Sequence, residues 1–134
     1  VSCLRRKFFP AVLCYTNIGL LCKGDGTMQI AIVDDRAEDR AELSVCLENY
    51  MKKHQLDYTL TEFEDGENFL KAAAQVNFQL VFMDIYMENM DGIEAARRLR
   101  QKNRLCKIVF LTITEDYARM GYSVSASYYL LKPL

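Results

Sequence analysis

The sequence has almost no excess of charge of either sign. Its 17 Lys and Arg residues face 18 Asp and Glu residues, which gives a net charge of −1 over 134 residues. A chain that binds nucleic acid non-specifically needs a strongly basic field, so we do not expect that activity. The composition, 51% hydrophobic and 26% charged, is that of one ordinary globular domain, and it excludes low-complexity disorder.

The sequence also lacks the cysteine and histidine spacing of a zinc site. It contains five cysteines but no CxxC pair, and its one histidine is His54. Cys46 and Cys106 stand far apart, which is typical of free thiols in a reducing compartment. We therefore expect a cytoplasmic protein. His54 follows the first predicted helix, and we expect it to be exposed and distant from the acidic residues described below.

Residues 1–27 differ chemically from the rest of the chain. They carry a net charge of +3, against −4 for residues 28–134. A basic cluster before an apolar run imitates a signal peptide, but polar and helix-breaking residues interrupt the run. The run is also too short to cross a bilayer as a helix, so we expect no membrane association. Lys23-Gly24-Asp25 can be encoded by a purine-rich ribosome-binding sequence just upstream of the Met28 codon. We therefore predict that residues 1–27 are a non-native or disordered leader and that the native protein begins at Met28.

Four short apolar runs show the near-continuous pattern of strands that are buried on both faces. A fifth run, at residues 58–63, is more polar and alternating, which is typical of an edge strand. Helical patterns lie between the strands, and a short fourth helix is predicted to begin at Thr114. The apolar runs cover residues 30–33, 78–83, 108–111 and 128–131, and the other helical patterns cover residues 37–53, 67–75 and 93–102. This alternation predicts an α/β fold with an open parallel sheet and right-handed crossovers.

Polar residues follow the apolar strands at their carboxyl ends, where open α/β sheets collect function. Asp34 and Asp35 follow the first strand, Asp84 the third, Thr112 the fourth and Lys132 the fifth. Carboxylates this close raise each other's pKa unless a cation neutralises them. Oxygen ligands favour Mg²⁺, which typically binds through one or two carboxylates and a phosphate. A divalent metal beside a nucleophilic carboxylate is an arrangement that supports phosphoryl transfer.

Each of these residues also has a plainer interpretation. Asp35-x-x-Glu38 fits a capping box, so Asp34 and Asp35 could simply cap the next helix. Asp84 could be a turn residue, Thr112 a helix cap, and Lys132 part of a solvated terminus. A basic run at residues 97–104 fits the solvated carboxyl end of a helix, where cations are favourable, better than a nucleic-acid site. The occurrence of these acidic, hydroxyl and ammonium side chains together at four strand ends favours a functional cluster over these separate structural roles.

Four motifs resemble the receiver domain of two-component response regulators, over nearly all of residues 28–134. They are Val33-Asp34-Asp35, the run MDIYMENMDG at residues 83–92, Phe110-Leu111-Thr112, and the run YLLKP at residues 129–133. The wording around these motifs resembles the LytTR-type branch, which includes quorum-sensing, accessory-gene-regulator-like regulators. The resemblance implies a flavodoxin-like, doubly wound five-stranded parallel sheet in the order 2-1-3-4-5.

The resemblance also implies roles for individual residues. Asp84 would accept a phosphoryl group from a phosphohistidine on a sensor histidine kinase. Mg²⁺ would be held by Asp35, by Asp84 and by the backbone carbonyl of Tyr86, with Asp34 acting directly or through water. Thr112 and Lys132 would bind the phosphoryl group, and Lys132 would first pair with Asp84. Tyr129 would be the aromatic switch residue that turns inward when Thr112 moves.

Further expectations concern activity and partners. We expect no enzyme activity beyond Mg²⁺-dependent self-phosphorylation and autodephosphorylation. Autodephosphorylation should be slow, because the bulky Ile113 stands where the family usually has a small residue. Dimerisation through the fourth helix and fifth strand is a further expectation, and DNA would be bound only through a carboxyl-terminal domain absent from this chain. The receiver is expected to be truncated after Lys132-Pro133. Its fifth helix would then be missing, and part of one sheet face would stay open unless residues 1–27 or a neighbouring molecule cover it.

Three other functions compete with this one. An aspartate-nucleophile phosphohydrolase would normally have a second acid two residues after the nucleophile, where this chain has Tyr86. A flavin- or nucleotide-binding module is disfavoured because no Gly-rich phosphate loop follows the first strand. A receiver-like interaction module that works without phosphorylation would not need the complete set of acidic, hydroxyl and ammonium groups.

Overall fold

A computed structural model of the chain describes residues 27–113, 124–126 and 128–132. Within these residues, five strands and three helices follow one another in the predicted order. The strands are β1 (Met28–Val33), β2 (Tyr58–Phe63), β3 (Leu80–Asp84), β4 (Lys107–Thr112) and β5 (Tyr128–Leu131), and the helices are α1 (Ala37–Lys53), α2 (Gly66–Ala73) and α3 (Gly92–Lys102).

The five strands form one sheet in the order β2-β1-β3-β4-β5, with every neighbouring pair parallel. This confirms the predicted flavodoxin-like order. The register aligns Ile30 of β1 with Leu80 of β3, and Leu80 with Lys107 of β4. Because the strands are parallel, their carboxyl ends all meet at one edge of the sheet.

Apolar clusters cover both faces of the sheet, as near-continuous apolar strands require. All five residues of β3 are buried. Along β1 the side chains alternate between the faces: Ile30 and Ile32 belong to one cluster, and Ala31 and Val33 to the other. Strand β2 lies at the edge of the sheet and has no fully buried residue, which agrees with its polar, alternating sequence.

The helices divide between the two faces according to their apolar stripes. Helix α1 contributes its apolar stripe, Leu43, Leu47 and Met51, to the cluster that contains Ile30. Helices α2 and α3 pack into the other cluster through side chains such as Phe69 and Leu99. The sheet is therefore held between α1 on one side and α2 and α3 on the other.

One face of β4 and β5 is less open than the sequence predicted. Val109 and Leu111 of β4 and Leu130 of β5 are all buried and belong to the same cluster as the stripe of α1. The expected open apolar surface is therefore not found at these three positions.

The prediction that the basic run at residues 97–104 is a solvated helix end is wrong for Arg100. Its guanidinium donates hydrogen bonds to the backbone carbonyls of Val124 at 2.7 Å, Ser125 at 3.0 Å and Cys106 at 2.6 Å, with a longer one to Asn103 at 3.3 Å. Arg100 thus joins the end of α3 to the start of β4 and to the turn that precedes β5.

Two expectations fall on residues that the structure does not describe. The leader predicted at residues 1–27 lies outside the described residues except for Thr27, and so does the short helix that Thr114 was predicted to cap. Among the helices that the structure does describe, none combines the length and the apolar character needed to span a membrane.

Candidate functional site at the carboxyl edge of the sheet

Four of the predicted site residues stand where strands end. Asp34 directly follows β1, Asp84 ends β3, Thr112 ends β4 and Lys132 directly follows β5. Backbone hydrogen bonds extend the sheet ladder to this edge: Asp34 N–H donates to the Phe63 carbonyl at 3.0 Å, and Lys132 N–H donates to the Thr112 carbonyl at 2.7 Å. The main chain of the sheet therefore sets the spacing of the site.

Three carboxylates converge at this edge. Asp34, Asp35 and Asp84 each offer one oxygen atom, and these atoms lie within 4.8 Å of one another. Asp34 and Asp84 are buried, whereas Asp35 is exposed and opens the cluster to solvent. Hard oxygen ligands with one open side fit Mg²⁺, which keeps several waters when it binds. The three carboxylates form an acidic pocket that could bind this ion.

Asp84 titrates far from its ordinary range. The pKa of its carboxyl is raised from 3.8 to about 7, chiefly by burial and to a smaller extent by the charges of Asp34 and Asp35. The nearby Lys132 ammonium and the Tyr86 N–H, which donates to Asp84 Oδ1 at 3.3 Å, act in the opposite direction. A cation at the acidic pocket would favour the ionised form of Asp84 and compete with its proton.

The Lys132 ammonium is shared among three carboxylates. Its Nζ donates to Asp34 Oδ2 at 2.7 Å and to Asp39 Oδ2 at 2.9 Å, while Asp84 Oδ2 lies 3.5 Å away. Burial alone would lower the pKa of Lys132, but the hydrogen bonds to Asp34 and Asp39 and the charge of Asp84 raise it overall. Lys132 and Asp84 do form an ion pair, but it is the longest of the three contacts.

Asp39 is the site residue that the sequence did not reveal. It is the third residue of α1, where an acidic side chain is expected simply because it complements the helix dipole. Its contact with Lys132 joins residues 93 positions apart in the chain. In the sequence, Asp39 is distinguished only by its position five residues after Asp34, and this spacing belongs to none of the four receiver-like motifs.

The capping interpretation of Asp35 is wrong. The residue that precedes α1 is Arg36, and its side chain makes no capping hydrogen bond. Asp34, rather than Asp35, binds nearby backbone: its Oδ1 accepts a hydrogen bond from the Arg36 N–H at 3.0 Å. Arg40 Nη1 donates to the Asp34 carbonyl at 2.7 Å, and Arg40 Nε pairs with Glu62, near the end of β2, at 3.5 Å. Asp35 is consequently free of any structural role at the helix start.

The loop from β3 to α3 is packed tightly under Asp84. Gly92 N–H donates to the Ile85 carbonyl at 2.9 Å, and a Cβ atom on Gly92 would lie 2.1 Å from the carbonyl oxygen of Asp84. Asp91 caps α3 by accepting a hydrogen bond from Glu94 N–H at 2.8 Å. The Tyr86 side chain is 43% exposed at the rim of the site.

Two further residues lie on the β4 and β5 side of the site. The Thr112 side chain is buried, and Ile113 directly after it is 66% exposed. Tyr129 is half-buried and stacks on Phe110, with ring centroids 5.7 Å apart. Phe110 and Tyr129 are also register partners across β4 and β5. Tyr129, the predicted switch residue, therefore packs on a residue of β4 that lies two positions before Thr112.

The remaining candidate, His54, lies at the end of α1, as predicted. It is exposed and contacts the ring of Tyr50, with centroids 4.3 Å apart. Helix α1 begins beside the carboxyl edge of the sheet and runs to its opposite edge, so His54 is remote from the acidic pocket.

Comparison with known proteins agrees with this geometry. The family model described as the response regulator receiver domain matches residues 30–134. An uncharacterized response regulatory protein of Vibrio cholerae is 45% identical over 71 residues, which is 53% of this chain and 27% of that protein. The sensory transduction protein LytT of Oceanobacillus iheyensis is 30% identical over 109 residues, which is 79% of this chain and 42% of that protein. The chain spans less than half the length of either relative.

Solved structures share the fold. The chemotaxis protein CheY4 of Vibrio cholerae superposes with a TM-score of 0.71 at 24% identity, over 81% of this chain and 89% of that chain. The response regulator TrrA of Thermotoga maritima, in complex with Mg²⁺ and a beryllium fluoride, gives a TM-score of 0.69 at 29% identity, again over 81% and 89%. With the family model covering more than half of the sequence, the chain belongs to the response regulator receiver domain family.

Proposed function

We propose that this receiver domain is a phosphoacceptor and that Asp84 is the residue that becomes phosphorylated. The observation that carries the proposal is the surroundings of its carboxyl group. Asp84 is buried at a strand end, 3.5 Å from an ammonium group, and shares an acidic pocket with Asp34 and Asp35. A nucleophile, a counter-charge and a cation site in one place are the requirements of phosphoryl transfer.

The metal in the proposal is Mg²⁺. Asp35 and Asp84 would hold it, together with the Tyr86 backbone carbonyl, and Asp34 would act directly or through water. When bound, the ion would neutralise the carboxylates and the charge of the transferred phosphoryl group. The chemistry of the three clustered carboxylates supports this assignment, because each of them offers a hard oxygen donor.

The donor in the proposal is a phosphohistidine on a sensor histidine kinase. An Asp84 Oδ atom forms a bond to phosphorus, and the bond between phosphorus and the imidazole nitrogen breaks. The electron pair leaves with the nitrogen, and the imidazole ring takes up one proton from water, which restores the neutral histidine of the kinase. The product is an acyl phosphate on Asp84. Receiver domains are in general phosphoacceptors rather than enzymes, so the transfer consumes one phosphoryl group per chain.

The proposed response to phosphorylation involves Thr112, Lys132 and Tyr129. A phosphoryl group adds negative charge and three acceptor oxygens at the strand end. Thr112 and Lys132 would bind these oxygens, since both stand beside Asp84 at the same edge of the sheet. Movement of Thr112 would change the packing of Tyr129 on Phe110. A shift between two existing arrangements is sufficient for such a switch.

The partners in the proposal follow from the family and from the sequence. We assign the chain to the LytTR-type branch on the wording of its motifs, and relatives named LytT and LytR support this at 30% identity. Transcriptional output through a separate DNA-binding domain, dimerisation through the fourth helix and fifth strand, and a cytoplasmic location belong to the same proposal.

Phosphotransfer from a histidine kinase in the presence of Mg²⁺ tests the function. We expect labelling of the wild type, loss of labelling in Asp84→Asn, and loss of labelling when EDTA removes the metal. Asp57→Asn is a matched control: the Asp57 carbonyl accepts from Met28 N–H at the opposite edge of the sheet, and Asp57 is exposed. Labelling that persists in Asp84→Asn would remove the central assignment.

A further inference from the structure

Asp39 gives Lys132 a third carboxylate partner, beside Asp34 and Asp84 of the acidic pocket. An ammonium group has three protons to donate. Two of them are directed to Asp34 Oδ2 at 2.7 Å and Asp39 Oδ2 at 2.9 Å, and the Asp84 oxygen is farther away at 3.5 Å. The side chain of Lys132 is 11% exposed, so these carboxylates supply most of its neutralising charge. In this arrangement the ammonium is drawn toward α1 and away from Asp84.

The two close partners of Lys132 differ in how firmly they are held. Asp34 is fully buried, and its other oxygen accepts a hydrogen bond from Arg36 N–H. The Asp39 side chain is 23% exposed, and its additional partner is the exposed guanidinium of Arg36 at 3.8 Å. Exposed ion pairs are worth little, whereas a buried charge that loses its partner is costly. Of the two, Asp39 is the partner that can be released into water.

We infer that Asp39 is a positioning residue that holds the Lys132 ammonium away from Asp84 in the unphosphorylated protein and releases it when a phosphoryl group occupies Asp84. The inference rests on the proposed function of Asp84. A phosphoryl group would offer Lys132 new acceptor oxygens and would repel the Asp39 carboxylate, because both carry negative charge. Lys132 would then exchange its contact with Asp39 for one with the phosphoryl group.

This exchange makes Asp39 a partner of the unphosphorylated state only. A group that stabilises one of two states lowers the apparent affinity of any ligand that requires the other. Removing the Asp39 carboxylate should therefore strengthen the binding of a phosphoryl mimic at Asp84. Mg²⁺ binding alone places no acceptor oxygen beside Lys132, so it should respond less to the same change.

Beryllofluoride, which mimics a phosphoryl group on a carboxylate, is the probe. Calorimetric titration at saturating Mg²⁺ would compare the wild type with Asp39→Asn, and a separate titration would measure Mg²⁺ alone. We expect Asp39→Asn to bind beryllofluoride about 3- to 10-fold more tightly, the range for losing one partly exposed charged hydrogen bond. Glu38→Gln is the matched control, since it removes the same charge from the neighbouring exposed residue of α1. Asp39→Glu should lie close to the wild type.

The outcomes separate this inference from the proposed function. Wild-type protein that binds beryllofluoride only when Asp84 is intact supports the proposed function. Equal affinities for Asp39→Asn, Glu38→Gln and the wild type would then overturn the inference alone. A gain in Mg²⁺ affinity as large as the gain in beryllofluoride affinity would also overturn it, because that result indicates general charge relief rather than release of Lys132.

A second measurement does not depend on phosphorylation. Urea denaturation of metal-free protein can be measured for Asp39→Asn, Lys132→Met and the double variant. If Asp39 holds Lys132, the shifts in the denaturation midpoint will not add, whereas those of Glu38→Gln and Lys132→Met will. Additive shifts for Asp39 and Lys132 would overturn the inference even if the wild type binds no beryllofluoride.

Discussion

The backbone of Gly92 lies so close to the carbonyl oxygen of Asp84 that no side chain fits between them. A Cβ atom on Gly92 would lie 2.1 Å from that oxygen and 3.0 Å from the Cα atom of Ile85. Both neighbours are backbone atoms at the end of β3, so they cannot move aside without displacing the Asp84 carboxyl. The first residue of α3 thereby fixes the strand end that carries the proposed phosphoacceptor.

Gly92→Ala should therefore destabilise the fold. In an open helix, alanine in place of glycine gains about 0.5–1 kcal/mol. Here we expect a net loss of about 1–3 kcal/mol in the free energy of unfolding, the range for overpacking. We also expect weaker Mg²⁺ binding, because Asp84 is displaced. Urea denaturation and Mg²⁺ titration measure the two effects.

Gly66→Ala is the matched control for Gly92→Ala. A Cβ atom at Gly66, the first residue of α2, would lie 3.1 Å from Ala95 Cβ and 3.3 Å from the flexible thioether of Met90. Side chains can yield where backbone cannot, so the loss at Gly66 should be smaller. Equal losses at both positions would contradict the special role given to Gly92.

The raised pKa of Asp84 predicts how stability depends on pH in the absence of metal. Its pKa is about 7 in the folded protein and 3.8 as its ordinary value, so the folded state holds the proton more tightly than the unfolded chain does. The stabilising contribution of the neutral carboxyl is complete below about pH 4 and is lost as the pH rises toward 7. At about 1.4 kcal/mol per pKa unit, the loss is at most about 4 kcal/mol.

Asp84→Asn isolates this contribution from those of other carboxylates. We expect metal-free Asp84→Asn to be more stable than the wild type at pH 8, with a difference that shrinks as the pH falls to 4. Mg²⁺ should reduce the difference at pH 8, because it favours the ionised carboxyl of the wild type. Urea denaturation at several pH values, with and without Mg²⁺, measures this. A difference that does not vary with pH would contradict the assigned pKa.

The sequence predicted elements well wherever one local pattern dominated. The bounds of α1, β2 and β5 agree with the structure, because their apolar spacing and their flanking residues point to the same limits. Helices α2 and α3 each begin one residue earlier than predicted, at Gly66 and Gly92. Glycine is a poor helix former, so its presence at a helix start reflects close packing that intrinsic propensity does not reveal.

The parts of the site that sequence did not predict depend on contacts between distant residues. The sequence predicts that four site residues lie together, because each follows or ends a strand and the carboxyl ends of parallel strands share one edge of the sheet. These residues are Asp34, Asp84, Thr112 and Lys132. Asp39 lies on a helix, and only the structure shows which way its carboxylate points. Arg100 likewise matched the pattern of a solvated helix end, but its bonds reach carbonyl groups 24 and 25 residues away.

The exposed Ile113 side chain predicts slow loss of the phosphoryl group, if Asp84 is phosphorylated as proposed. Ile113 directly follows Thr112 and is 66% exposed at the edge of the sheet that carries the acidic pocket. A bulky apolar group there narrows the access of hydrolytic water. We expect Ile113→Ala to lose phosphate several times faster than the wild type, as followed by release of labelled phosphate.

Val45→Ala provides the control for Ile113→Ala. Val45 is a similarly exposed apolar residue on α1, 55% accessible and well beyond the first turn of that helix. Its replacement should leave the rate of phosphate loss unchanged. Fast loss in the wild type, with no further change in Ile113→Ala, would show that Ile113 does not restrict the approach of water.

Arg100 should contribute to stability through the geometry of its guanidinium and not through charge alone. Arg100→Ala leaves the carbonyls of Val124, Ser125 and Cys106 without this donor, and we expect a loss of about 2–3 kcal/mol in the free energy of unfolding. Arg100→Lys keeps the charge but cannot reproduce the planar, forked set of N–H donors of the guanidinium. It should therefore recover only part of the lost free energy of unfolding.

Arg97→Lys tests whether this loss is specific to Arg100, because Arg97 lies on the same helix and makes an exposed pair with Glu94. Exposed pairs contribute little, so Arg97→Lys should change stability by less than about 0.5 kcal/mol. Amide hydrogen exchange adds a local measurement: protection in β5 should fall in Arg100→Ala, because Arg100 fixes the turn that leads into that strand. Wild-type stability in Arg100→Lys, with β5 protection unchanged, would show that charge alone accounts for this residue.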